Sequence, residues 1–129
     1  MDKKIGLFWL RDDFRFIKNH GLIEATTKHN QVVVFYLYKQ DIYSNQEAQK
    51  WWLSKSLSNF KKKLNELNIS LEIIETHSFK IFFDSLIKKK DFAIYWNKVY
   101  EPDYLKFDEY LLNIFKNKNI NHKRFKGNA

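Results

Sequence analysis

The stretch Ile5-Gly6-Leu7-Phe8-Trp9-Leu10-Arg11-Asp12-Asp13-Phe14-Arg15 passes from an unbroken apolar run straight into arginines and aspartates. Apolar side chains at successive rather than alternate positions mark a strand covered on both faces, as in a parallel sheet flanked by helices. In such sheets ligands bind beyond the carboxyl ends of the strands, so the charged residues after Leu10 are the first place to seek a site.

The same kind of run recurs at 32–37, 71–74 and 92–96, each short, rich in β-branched and aromatic residues, and each expected to be a parallel strand buried on both faces. A fifth candidate at 120–125 alternates Ile120, His122 and Arg124 with Asn121, Lys123 and Phe125, without a clean apolar face, and suits an edge strand. Between the runs the period lengthens to that of a helix. Asn19 is the expected N-cap of a first helix that turns Leu22, Ile23, Ala25 and Thr26 to the sheet and ends near Asn30. Leu53, Leu57, Phe60, Leu64 and Leu67 step by four and three along a second helix over 45–67, with Ser44 and Glu47 as a capping box. Ser78 opens a third that carries Phe79, Phe82, Phe83, Leu86 and Ile87. A fourth carries Tyr104, Phe107, Leu111 and Ile114, with Pro102 in its first turn, where a missing N–H costs nothing. The order is βαβαβαβαβ. Right-handed crossovers then predict an α/β fold, a doubly wound, Rossmann-like sheet of five parallel strands in the order 3-2-1-4-5 with helices on both faces, whose topological switch lies between the first and fourth strands.

Two strand endings flank that switch, and together they bring Arg11, Asp12, Asn97, Glu101 and several aromatic rings to one edge. Aromatic walls with a few fixed charges suit a planar, polar-rimmed ring system. A structural reading stands beside it: Arg11, Asp13 and Arg15 have the makings of an ion-pair cluster, Glu101 sits where a helix start would use it, and Trp51 and Trp52 suit packing in the core or at a domain interface.

Composition narrows the class. A chain of 129 residues is the size of one domain, and 44% hydrophobic with 29% charged residues is the balance of a folded globule. No apolar run approaches the roughly 18 to 20 residues needed to cross a bilayer, and Met1-Asp2-Lys3-Lys4 leads into too short a run for a signal peptide, so a cytoplasmic protein is expected. The formal charge of +8 allows a nucleic-acid partner. Yet Lys61-Lys62-Lys63 and Lys88-Lys89-Lys90 fall on helix faces without interleaved arginines and aromatics, which suits solvated surface better. With only Gly6, Gly21 and Gly127 there is no phosphate-cradling glycine loop, no nucleophile elbow accompanies any serine, and the four histidines have no close metal-ligand spacing. No catalytic residue and no metal site is expected.

At the two strand endings the sequence resembles the DNA photolyase and cryptochrome family. The segment from Leu7 to Asn19 is similar to its opening motif, a hydrophobic strand followed by Phe-Arg-x-Asp-Leu-Arg-x-x-Asp-Asn. The segment Tyr95-Trp96-Asn97-Lys98-Val99-Tyr100-Glu101-Pro102 resembles its Trp-Asn-x-x-Tyr-Glu-Pro segment. Ala48-Gln49-Lys50-Trp51-Trp52-Leu53-Ser54-Lys55-Ser56-Leu57 is similar to its Arg-rich second helix, and the spacing of the three fits. Lys18 and His20 depart from the Asp and Pro of the first motif.

The resemblance implies one domain over 1–129, the N-terminal α/β domain that holds a light-harvesting antenna chromophore. A deazaflavin or flavin fits better than methenyltetrahydrofolate, because Arg11, Asp12, Val99 and Glu101 fall where the flavin type lines its pocket. The Asn-Glu pair of the folate type is replaced by Asp103 and Tyr104. The implied function is that of an antenna domain of a deoxyribodipyrimidine photolyase, in which the full-length protein repairs pyrimidine dimers in DNA with light and FAD binds in a C-terminal helical domain beyond this sequence. Alone, the chain is expected to be inactive in repair, and its exposed aromatics would meet the helical partner or promote self-association. A cryptochrome-type photoreceptor domain, a free-standing nucleotide-binding domain and a module that has lost its ligand are the alternatives.

Overall fold

The computed structural model describes residues 4–39 and 47–126. Five strands, β1 (Ile5–Leu10), β2 (Val32–Tyr38), β3 (Ser70–Glu75), β4 (Phe92–Asn97) and β5 (Asn121–Phe125), form one parallel sheet in the order β3-β2-β1-β4-β5. Among the described residues four helices connect them: α1 (His20–Lys28), α2 (Glu47–Glu66), α3 (Phe79–Ile87) and α4 (Pro102–Asn117). The expected order and the switch between β1 and β4 are both present. Ser44 and Asn45, the expected start of α2, lie outside the described residues. No helix among the described residues is long and apolar enough to cross a membrane.

Period-2 geometry sends alternate residues of the central strands to opposite cores. Phe8, Leu10, Val34, Tyr36 and Tyr95 pack beneath α1 and α2 with Leu22, Ala25, Leu57, Phe60 and Leu64, while Trp9, Phe35, Leu37, Ile94 and Trp96 meet Phe83, Ile87, Leu111 and Phe115 of α3 and α4. β4 is buried along its whole length, as a strand covered on both faces should be. β3 is not: only Leu71 is fully buried and Ile73 is 52% exposed, because this strand ends the sheet beside β2 alone. The expectation of burial on both faces therefore fails for β3, whereas β5 is the expected edge strand. On α1, Leu22 and Ala25 face the sheet, but Ile23 is half exposed, since it lies one position beyond the buried stripe.

With so few glycines, other residues take the left-handed turns that close the helices. Asn68 and Asn119 hold φ near 58° and 56°, and the next residue in each case donates its N–H back to a carbonyl five residues earlier, Ile69 to Leu64 and Ile120 to Phe115. Both motifs bury the flanking apolar side chains, so Asn does what Gly does elsewhere. α1 ends earlier than expected, at Lys28, because His29 turns extended and its ring is claimed by the sheet. His29 Nδ1 donates to the Lys4 carbonyl at 2.9 Å, and Nε2 pairs with the Tyr95 hydroxyl at 2.8 Å.

Gly21 has a different task. A Cβ there would stand 2.7 Å from the Phe8 ring and 3.0 Å from Asn97 Oδ1, so only a glycine lets α1 lie this close to β1 and β4. Gly21→Ala gains about 1 kcal/mol of helix propensity but forces that contact apart at a cost of about 1–3 kcal/mol, and the clash wins because strand side chains cannot retreat. Chemical denaturation should show a net loss; a more stable variant would mean that the helix slides freely.

Candidate functional site

Beyond β1 the chain turns through Arg11, Asp12 and Asp13, and beyond β4 through Asn97 to Glu101, so the switch brings both endings to one rim. Arg11 follows Trp9 on the α3–α4 side, and its guanidinium lies 4.8 Å from the centroids of both Trp9 and Tyr104. Nη1 and Nη2 donate to Asp108 of α4 at 2.8 and 3.2 Å, and Nη2 also donates to the Asn97 carbonyl. Arg124 of β5 adds a second cation on Asp108 at 3.3 Å. Arg11 is thus buried as an ion pair, but with Asp108 and not with the expected Asp13 and Arg15. A carboxylate from the facing helix reaches both nitrogens of the guanidinium, which one two residues along its own loop does not.

Asp13 instead accepts the backbone N–H of Arg11 on Oδ1 and the Asn97 side-chain amide on Oδ2, at 3.2 and 3.1 Å. Asn97 also donates to Asn19 Oδ1 at 2.7 Å and accepts the Gly21 N–H at 2.9 Å. Asn19 caps α1 through the Leu22 N–H, as expected. One buried amide thereby ties the end of β4 to the loop after β1 and to the start of α1. Loss of water around Asp13 pushes its carboxyl above the usual carboxylate range, opposed by the hydrogen bond from Asn97. Asp12 shifts the same way, mainly through desolvation, with the Tyr36 hydroxyl donating to it at 2.8 Å and Arg11 nearby opposing the rise.

Two cavities open on this rim. One, of about 450 Å³, is walled by Phe79, Tyr104 and Phe107 with Asp12, Lys39, Ser78, Glu101 and Asp103 around it. The Phe79 and Tyr104 rings are nearly parallel at 5.9 Å, and Lys39 Nζ lies over Phe79 at 4.2 Å. The other, of about 460 Å³, lies toward α1 and β5 among Asp12, Asn97, Val99 and Tyr100 with a group of cations. The sequence-derived residues divide between them: Asp12 borders both, Asn97 and Val99 border the second, Glu101 borders the first, and Arg11 lines neither but braces the loop beneath. Glu101 also caps α4, accepting the N–H groups of Asp103 and Tyr104, each at 3.2 Å. Trp51 and Trp52 lie at the surface, 65% and 52% exposed, rather than in the core. Trp52 meets Phe14 edge-on at 5.6 Å, and Lys55 covers Trp51. Sequence reading missed Asp108, although a charge amid the apolar stripe of Tyr104, Leu111 and Phe115 was visible there. It also missed Phe79 as a cavity wall, since its spacing marks it only as core.

The family model for DNA photolyase matches residues 6–129. The chain belongs to the DNA photolyase family. Its fold is that of the photolyase N-terminal α/β domain. A class III photolyase from Agrobacterium tumefaciens superposes with a TM-score of 0.80 at 21% identity, covering 98% of this chain and 26% of that one. An archaeal photolyase from Sulfolobus tokodaii, whose structure holds two FAD molecules and implies a light-harvesting cofactor, superposes with a TM-score of 0.78 at 22% identity, covering 95% and 29%. This photolyase domain therefore spans between a quarter and a third of the solved relatives it matches. No curated protein matches it.

Proposed function

We propose that this domain binds the antenna chromophore of a deoxyribodipyrimidine photolyase, and that the chromophore is a flavin or deazaflavin. The observation that carries the reading is the aromatic cavity at the β1–β4 switch, whose volume and mixture of rings with a few charges suit a flat, polar-rimmed tricycle. Phe79, Tyr104 and Phe107 would lie against the ring. Asp12, Glu101 and Lys39 would meet its polar edge, with Asn97 and Val99 at the adjoining rim and Arg11 holding the loop from below. Bound there, such a pigment would supply absorption in the near-UV and blue to an FAD held in a catalytic helical domain, where the full-length protein would repair pyrimidine dimers. Where a folate type would need its Asn-Glu pair, Asp103 and Tyr104 stand, and Tyr104 is already stacked on Arg11. The exposed side chains of Ile17, Trp51 and Trp52 favour docking of the helical domain, or self-association of the chain by itself.

Fluorescence titration of the purified chain with riboflavin and with methenyltetrahydrofolate tests the reading. Riboflavin should bind and the folate should not. Phe79→Ala should weaken riboflavin about tenfold, the scale of one lost aromatic contact. Preference for the folate, or no binding by either, would overturn it.

A further inference from the structure

β3 ends the sheet on the side away from β5, and β2 separates it from β1 and the switch. It runs beside β2 through six consecutive pairs, from Val33 with Ser70 to Tyr38 with Glu75, so no bulge interrupts it. Just past its end the Thr76 N–H donates to the Tyr38 carbonyl at 3.0 Å. Alternate residues of a parallel strand turn N–H and C=O to the same neighbour, so Glu72 and Ile74, in step with Thr76, bond to β2. Leu71, Ile73 and Glu75 therefore aim their backbone groups outward, where no strand among the described residues meets them.

Natural sheets blunt such an edge with lysine, proline, a bulge or a cover, because an open row of N–H and C=O groups recruits other strands. β5, at the other end, follows that rule: Lys123 is exposed, and Arg124 reaches in to Asp108. β3 has no lysine, proline or glycine, and Ile73 stands 52% exposed in it. The two sides of this edge differ in chemistry. On the α2 side Ile73 joins Tyr38, Leu53 and Leu57 in a mainly apolar groove of about 480 Å³, with Lys50 and Lys61 also lining it. On the α3 side, where Ile74 packs, Glu72 is exposed. Neither Glu72 nor Glu75 is ion-paired among the described residues. A second β3 laid alongside would set glutamate against glutamate, so the charge selects a basic partner and not another copy of this strand. The groove lysines repel basic side chains from the α2 side, so there the partner must be apolar. We propose that the free edge of β3 takes up an extended segment of another protein that alternates apolar and basic residues, adding it as a further strand of the sheet with its apolar side chains over the Leu53–Leu57 groove and its basic ones beside Glu72.

The blocked peptide Lys-Val-Lys-Val-Lys-Val is the probe and Glu-Val-Glu-Val-Glu-Val its counterpart, each carrying a fluorophore for anisotropy titration. The lysine peptide should bind about tenfold tighter or better, and the gap should narrow as salt rises. Binding should also slow amide hydrogen exchange at Leu71, Ile73 and Glu75. Ile73→Pro removes an outward N–H and spares the ladder to β2, so it should abolish binding while the melting temperature changes little. Glu72→Lys, a change at an exposed position, should erase the preference between the peptides. No binding of the lysine peptide, equal binding of the two, or binding that leaves those amides unprotected would overturn the proposal. So would self-association of the chain that Ile73→Pro removes, because it would assign the edge to a second copy.

Discussion

Asp108→Ala should destabilise the domain by about 3–5 kcal/mol, because it strips a buried guanidinium of the carboxylate hydrogen-bonded to it. Arg11 and Asp108 are 1% and 0% exposed, so water cannot replace the lost carboxylate. Aromatic faces from Trp9 and Tyr104 offer Arg11 some compensation, but cation–π attraction amounts to about 2 kcal/mol even when desolvated and the variant keeps it unchanged. Arg124 would lose the same partner and leave two cations facing one void. The loss should appear as a fall of roughly 10 °C or more in thermal midpoint for a chain of this size. A companion variant identifies the cause. Arg11→Met/Asp108→Leu removes both charges while keeping volume, and should recover most of the stability, since an apolar pair in place of a buried ion pair is often neutral. If the double variant is as unstable as the single, the damage comes from lost shape and not from unpaired charge.

The same cluster shows which features the sequence carried openly. Strand runs at 5–9, 32–37 and 92–96 were legible because a strand buried on both faces writes its burial at every position, and their order followed from the handedness of crossovers. β3 was misread because Leu71, Ile73 and Ile74 look alike in sequence, and only the position of a strand in its sheet decides whether Ile73 is covered. Arg11, Asp12, Asn97 and Glu101 were placed on one rim by topology alone. What each of them does was not legible, since Arg11 is 97 residues in sequence from the carboxylate that claims it. Nor did the pattern distinguish Asn97 as a ligand contact from Asn97 as the amide that ties three segments together, a role that depends on Gly21 and Asn19 arriving from α1. The basic rim was hidden for a related reason: Arg15, Lys18, Lys98 and Lys126 form no run in the sequence, unlike the lysine triplets, and only the fold makes them neighbours.

Replacing Trp9 by Ala should cost about 3–5 kcal/mol, the range for emptying a buried aromatic site, and should also abolish the flavin binding proposed for the aromatic cavity. Trp9 is 1% exposed and lies at the centre of the α3–α4 core, stacked on Phe35 at 6.4 Å and met edge-on by Phe79, Phe83 and Phe107 at 5.5, 4.9 and 6.1 Å. Two of those rings, Phe79 and Phe107, are also walls of the aromatic cavity, so the core and the site share side chains. Rings that lose the indole behind them will relax into the void, because a cavity in a close-packed interior collapses as far as its lining allows. Relaxation lowers the stability cost and raises the functional one, since each ring that moves inward leaves the cavity wall. Trp9→Phe should cost less and retain flavin binding, because a smaller ring still supports Phe79 and still faces Arg11. Denaturation midpoints and flavin titrations on the two variants, each measured at a temperature where the variant is folded, read these effects separately. Full binding in a folded Trp9→Ala variant would show that the cavity walls stand without the core behind them, and would disconnect the first strand from the site.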